Sequence, residues 1–216
     1  MDIINIFLTY KSFFIKGIIG TLSLSFISVL IGIFIGIILS LFKLSKSKIL
    51  KYFASIYIEI IRGTPLLLQL FIVYFGSDLL FGIKLNEYVS GIVAVSLNSG
   101  AYVAEIMRSG IEAIDRGQSE AAQSLGLDYY TTIYEIILPQ AIKNILPALG
   151  NEFVSIIKET SIVSVIGAND IMRQVDVVRA ITFKPIEPLF IVAIIYFMIT
   201  FILSKTVNLF EKKLKK

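Results

Sequence analysis

Long, nearly uninterrupted apolar runs constrain this chain more than any other feature. They cover about residues 13–42, 56–80, 88–111, 141–166 and 189–210. A helix needs about 20 apolar residues to cross a bilayer, so each run is a candidate span. The sequence therefore predicts an all-α membrane protein with five transmembrane helices. Charged residues make up 17% of the chain, whereas a soluble domain carries about 25%. Lipid explains that deficit better than a large core does.

The runs carry internal punctuation. At ~1.5 Å per residue the first exceeds a ~30 Å hydrocarbon core, so it must tilt or protrude. Its only charge is Lys16, near one end, where it can snorkel. Gly17, Gly20, Gly32 and Gly36 give it small-residue faces for close helix contact. In the second run, Glu59 and Arg62 are one turn apart and can pair. Gly63-Thr64-Pro65 marks a bend or break there. Pro147 and Gly150 predict an interruption of the fourth run. Pro185 and Pro188 predict the end of a polar, helical stretch over 167–185.

Lysine placement orients the spans. Lys43, Lys46, Lys48 and Lys51 follow the first run, and Lys212, Lys213, Lys215 and Lys216 form a basic tail over 212–216. Basic loops favour the cytoplasmic side. This puts both segments and residues 112–140 inside, and the N-terminus, the loop after Asp78 and residues 167–185 outside. Residues 1–11 lack the basic start and cleavage site of a signal peptide. Ile3, Ile6, Phe7 and Tyr10 instead fall on one helical face, which fits either an amphipathic segment on the membrane surface or a frayed end. The transmembrane domain then covers 12–211.

The chain has no cysteine and no histidine. Disulfides, thiolate zinc sites and histidine bases are excluded, and nothing suggests a metal site or a catalytic nucleophile. The net charge of +4 sits beside the spans, which fits anchoring to membrane lipid rather than nucleic-acid binding.

Residues 112–140 are polar and too poor in apolar residues to cross a membrane. They predict two short helices at an angle. Asp115 to Ser119 cap the first, Gly126 stops it, Asp128 caps the second, and Pro139 starts the turn into the fourth span. Within this stretch, Glu120-Ala121-Ala122, Gly126, Ile136 and Leu138-Pro139 resemble the signature loop of bacterial ABC importer permeases. Arg62-Gly63-Thr64-Pro65-Leu66-Leu67-Leu68-Gln69 is similar to a segment of the polar amino acid branch of that family. So are Asn98-Ser99-Gly100-Ala101-Tyr102-Val103-Ala104-Glu105 and Leu138-Pro139-Gln140-Ala141. The resemblance covers about residues 13–210 and implies a type I importer transmembrane domain in the bacterial cytoplasmic membrane. It implies that Glu120 to Gly126 form a coupling helix docked on an ATPase subunit.

A phosphate-binding G-x-x-x-x-G-K-[ST] loop is absent from the sequence. The chain is thus expected to be no enzyme, and ATP and magnesium belong to a partner. The resemblance implies two ATPases, two permeases with a homodimer favoured over a heterodimer, and an extracellular or periplasmic amino-acid-binding protein. Residues 167–185 offer either a dock for that protein or a solvated helix.

Substrate candidates are the polar groups inside spans, which are costly there and default to function. Asn98, Tyr102, Glu105 and Ser109 share one helical face, as do Glu152, Ser155 and Glu159. Glu152 suits an ammonium or guanidinium group, Asn98 a carboxylate, and Tyr102 packing or a hydrogen bond. The set Asn98, Tyr102, Glu152, Ser155 and Glu159 favours basic amino acids, with glutamine left open. The structural alternatives are an ion-paired Glu152, an Asn98 that holds helices together, and a Glu159 paired locally with Lys158. Glu105 with Arg108 reads as a structural pair or gate element, as does Glu59 with Arg62. A secondary transporter or channel would also explain the spans, but not the helix pair over 112–140.

Overall fold

A computed structural model describes residues 3–214. Residues 1, 2, 215 and 216 of the expected N-terminal segment and basic tail lie outside that range. Every regular element among the described residues is helical. In chain order they are α1 (Ile3–Thr9), α2 (Lys11–Leu44), α3 (Lys48–Arg62), α4 (Leu66–Phe81), α5 (Glu87–Glu112), α6 (Arg116–Ser124) and α7 (Tyr129–Thr131). A π-helical turn (Thr132–Ile137), α8 (Leu138–Glu159), a 3₁₀ helix (Thr160–Ile166), α9 (Ile171–Thr182) and α10 (Glu187–Leu214) follow.

α2, α5 and α10 are each long and apolar enough to cross a bilayer, and α3 with α4 makes a fourth candidate bent by 105°. The second apolar run is therefore not one continuous helix: it breaks at Gly63-Thr64-Pro65, where Pro65 lacks the N–H that would continue the helix. α3 also reaches back to Lys48, so Lys48 and Lys51 belong to a helix rather than to a loop. α8 is long enough to span but carries Lys143, Glu152, Lys158 and Glu159.

α5 is the centre of the bundle, with 61% of its apolar window buried against 11% for α10. It packs along α2, and glycine makes that contact close. A Cβ on Gly32 would lie 2.5 Å from the Ser99 hydroxyl, and one on Gly36 2.4 Å from a Val103 methyl. Gly17 and Gly20, further up α2, serve a different partner: a Cβ on Gly20 would sit 2.1 Å from the Asn169 carbonyl oxygen, at the start of α9. One helix thus uses two small-residue stretches for two neighbours. Where backbones approach this closely, dispersion and polar contacts replace the hydrophobic effect that lipid does not supply. Hydroxyls add crosslinks: Tyr57 donates to the Leu97 carbonyl at 2.9 Å, Tyr88 to Ser23 at 2.9 Å, and Ser25 and Thr160 meet at 3.3 Å.

The fourth run departs from expectation. Pro147 lies inside α8 without interrupting it, and Gly150 lets Val207 of α10 approach, with a Cβ 2.8 Å from a valine methyl. The helix changes form later, at Thr160, where it tightens to 3₁₀ before Gly167 ends it at φ +88°. Pro139 likewise does not begin a turn. The six residues Thr132–Ile137 widen into a π-helix that runs straight into α8. Proline at 139 cannot donate and its ring crowds the carbonyl four residues back, and a wider turn relieves both problems. Pro188 sits within the first turn of α10 rather than ending α9, where proline's missing N–H has no helical partner anyway. α9 ends earlier, at Thr182, on a left-handed Phe183.

α1 is tied to the bundle. Ile6 is fully buried with Phe14, Ile171, Val175 and Ile191, while Ile4 and Leu8 stay exposed.

Asp170 caps α9, accepting from the Arg173 and Met172 amides at 2.8 and 3.1 Å. It is fully buried, and burial pushes its carboxyl up to about 6 against those hydrogen bonds. A carboxyl raised on folding holds its proton better in the folded state. Its contribution is therefore full below the unfolded value of about 4 and is lost as pH rises through about 6. Thermal stability in detergent should fall between about pH 4 and pH 6. Asp170→Asn keeps a good cap without the buried charge and should flatten that step. An unchanged step in Asp170→Asn would assign it to other groups.

Candidate functional site

The break between α3 and α4 positions the candidate site. Gln69, buried on α4, reaches back across the break. Its amide donates to the Ile61 carbonyl at 2.7 Å and to the carbonyl and hydroxyl of Thr64 at 3.1 Å each. These bonds satisfy carbonyls that the broken helix leaves unpaired. They hold Thr64, Pro65 and Leu66 against α5 and the start of the 3₁₀ helix.

A cavity of about 420 Å³ opens there, lined by Thr64, Pro65, Leu66, Asn98, Tyr102, Glu159, Ser161 and Ile162. Its walls mix apolar faces with a carboxylate, an amide and hydroxyls. Such convergence of polar groups with apolar walls in one recess suits a small polar solute. Three of the five sequence-derived substrate candidates, Asn98, Tyr102 and Glu159, meet here. Glu152 and Ser155 do not line it. They are half-buried on the same face of α8, and Glu152 lies two turns before Glu159, about 10 Å along the axis at 1.5 Å per residue. Glu159 shows no ion pair with Lys158.

Beside the cavity lies a charge cluster on α2, α3 and α5. Glu105 is its hub, with Lys43 at 3.7 Å, Arg62 at 3.9 Å and Arg108 in direct hydrogen-bond contact. Arg108 also binds Glu112. The expected Glu105–Arg108 pair thus forms. The expected Glu59–Arg62 pair does not. Arg62 turns instead to Glu105 and lies over the Tyr102 ring, 5.3 Å from its centre. Packing of α3 on α5 brings a carboxylate 43 positions away closer than the one on its own helix. Sequence reasoning missed Thr64 and Ser161 as cavity-lining partners of Asn98, and Arg62 as a neighbour of Tyr102. Gly63-Thr64-Pro65 carried the signal, since broken helices favour binding sites.

The polar segment over 112–140 holds together by local bonds. Asp115 accepts from the Gly117 amide at 2.7 Å, and Asp128 from the Tyr130 amide at 3.0 Å. A hydrogen bond from Thr131 is the main influence holding the Asp128 carboxyl below its ordinary value. α6 closes with a Schellman turn. Leu127 N–H donates to Ala122 at 3.1 Å and Gly126 N–H to Gln123 at 2.9 Å, with Gly126 at φ +78°. Glu120, Ala121 and Ala122 lie on α6, Ile136 on the π turn, and Leu138 and Pro139 at the start of α8. The exposed face carries Leu125, Tyr129, Tyr130 and Tyr134.

Residues 28–216 match the family model described as "Binding-protein-dependent transport system inner membrane component". The arginine transport system permease protein ArtQ of Bacillus subtilis is 45% identical over 203 residues, which are 94% of this chain and 93% of that protein. A protein assigned as the glutamine transport system permease GlnP of Rickettsia conorii is 44% identical over 202 residues, again 94% and 93% of the two chains. Among solved structures, one described as an amino acid ABC transporter with histidines superposes with a TM-score of 0.94 at 48% identity, covering 99% of both chains. The MetNI methionine ABC transporter shares the fold at 15% identity, with a TM-score of 0.79 over 95% of this chain and 98% of that one.

Proposed function

The chain belongs to the family of binding-protein-dependent transport system inner membrane components, and on that premise we propose that it is the permease subunit of an ATP-driven importer for polar amino acids, basic ones foremost. The cavity at the α3–α4 break carries this reading. It gathers Asn98, Tyr102 and Glu159 beside an interrupted helix, and relatives of high identity bear arginine and glutamine in their names. In this reading Glu159 receives the ammonium or guanidinium group. Asn98 and Tyr102 orient the rest, and Glu152 and Ser155 line the onward path along α8.

α2, the bent α3–α4 pair, α5, α8 with its 3₁₀ extension, and α10 make five crossings, with the N-terminus outside and the C-terminus in the cytoplasm. Two copies of the permease flank the path. α6 with the π turn faces the cytoplasm and docks on an ATPase dimer, which binds ATP and magnesium. The α9 segment receives the external binding protein. ATP-driven closure of the ATPases then moves the bundle between outward- and inward-open states. Substrate can bias that balance only through its different affinity for the two.

Uptake into vesicles holding the complete transporter, tested with a panel of amino acids, checks the reading. Glu159→Gln should lower arginine uptake about tenfold, the order expected for losing a charged hydrogen bond, and glutamine uptake far less. Glu152→Gln should act in the same direction with smaller size. Equal losses for both amino acids would remove the charge argument, and uptake without ATP would remove the importer reading.

A further inference from the structure

Arg62 is positioned to do more than brace a helix. Three cations, Lys43, Arg62 and Arg108, face two carboxylates, Glu105 and Glu112, so one positive charge is left over. Arg62 is the loosest member. Arg108 bonds Glu105 directly through two guanidinium nitrogens, whereas Arg62 stands 3.9 Å from the other oxygen and its side chain is 41% exposed. An exposed pair at that distance contributes little, so the guanidinium leaves it at small cost. Its second contact is the face of Tyr102, and Tyr102 lines the cavity. Thr64, two positions along the chain, lines it as well. Arg62 itself stands beside the lining, and Glu159, of opposite charge, is part of it.

We infer that Arg62 is the residue that reads the substrate's α-carboxylate, moving off Glu105 as the substrate enters. This deepens the proposed function and rests on its assignment of the cavity to an amino acid. A zwitterion brings an ammonium and a carboxylate, and Glu159 with Arg62 offers one charge for each. A planar guanidinium suits a carboxylate through paired hydrogen bonds. Glu105, still held by Arg108 and Lys43, keeps its compensation when Arg62 departs. Arg62 thereby links occupancy of the cavity to the charge cluster shared by α2, α3 and α5.

The chain has no cysteine, so Ser161→Cys, in a transporter assembled in nanodiscs with any partner-subunit cysteines replaced, gives a reporter thiol in the cavity and nowhere else. Protection of that thiol from N-ethylmaleimide is measured for L-arginine and L-glutamine and for their α-carboxamides, which lack the negative charge. With Arg62 intact, the free amino acids should half-protect at about tenfold lower concentration than the amides. Arg62→Gln should remove this preference by weakening the free acids alone, and Arg62→Lys should keep most of it. Glu105→Gln, which frees Arg62, should improve protection by the free acids. Equal weakening of acids and amides by Arg62→Gln would make its role structural and overturn the inference, as would no change in either. Absence of protection by both free amino acids would overturn the cavity assignment itself, and this inference with it.

Discussion

Gly126→Trp is expected to abolish ATP-driven uptake while the protein still inserts and assembles. Gly126 holds φ +78° in open space, so the obstacle is the backbone and not a clash. A Cβ in the left-handed region costs roughly 1–2 kcal/mol. The two Schellman bonds of that turn, at 2.9 and 3.1 Å, would also be weakened, at about 1 kcal/mol each. Together these would reduce the native turn's population roughly a hundredfold. The turn sets the angle between α6 and the π-helical segment that continues into α8, so the docking surface would no longer be presented. Uptake should fall more than about tenfold, and ATP hydrolysis should cease to respond to the substrate-loaded binding protein. Gly126→Asn, whose side chain tolerates this conformation, should retain most activity. Full transport by Gly126→Trp would count against the docking role.

The second large effect is on stability. Gly20→Ala would place a methyl 2.1 Å from the Asn169 carbonyl oxygen, a backbone atom that cannot rotate away. Either α2 separates from the start of α9 or the cap around Asp170 distorts, since the Ile171 amide donates to Thr21 at 3.0 Å in the same place. Overpacking typically costs about 1–3 kcal/mol, and contact with fixed backbone puts this case at the upper end or beyond. Gly76→Ala on α4 is the matched control. Its Cβ would meet only side-chain atoms at 3.8 and 3.9 Å, and alanine favours a helix by about 0.5–1 kcal/mol. Thermal unfolding in detergent should separate the two variants by several degrees, with Gly20→Ala lower. Equal midpoints would mean that the α2–α9 approach is looser than it stands here.

The parts of this fold legible in the sequence are those that a single segment decides. Lipid demands long apolar helices, and α2, α5 and α10 fall within a few residues of their runs. Caps are local too, and Asp115, Asp128 and Gly126 each act where their chemistry predicts. What escaped depends on neighbours. Gly63-Thr64-Pro65 announces a break, but the 105° angle is held by Gln69 bonding back across it. Pro147 suggests an interruption, but α8 stays helical between α5 and α10 and changes form only at Thr160.

The candidate site follows the same division. Asn98, Tyr102 and Glu159 were legible as polar residues in apolar runs, and they meet in one cavity. Glu152 and Ser155 share the helical face of Glu159 but stay outside the cavity, because the α3–α4 break covers only one end of α8. Sequence proximity pairs Arg62 with its nearest carboxylate, Glu59. Helix packing offered it Glu105 and the Tyr102 ring instead.

The claim on which the rest depends is that residues 112–140 form a cytoplasmic handle gripped by a separate ATPase. Leu125 is 81% exposed on that segment, and the chain contributes no other thiol. Leu125→Cys, treated in intact cells with a membrane-impermeant maleimide, tests the placement directly. The account predicts no labelling until the cytoplasmic membrane is opened, and then ready labelling that bound ATPase subunits suppress. Labelling from outside in intact cells would contradict it.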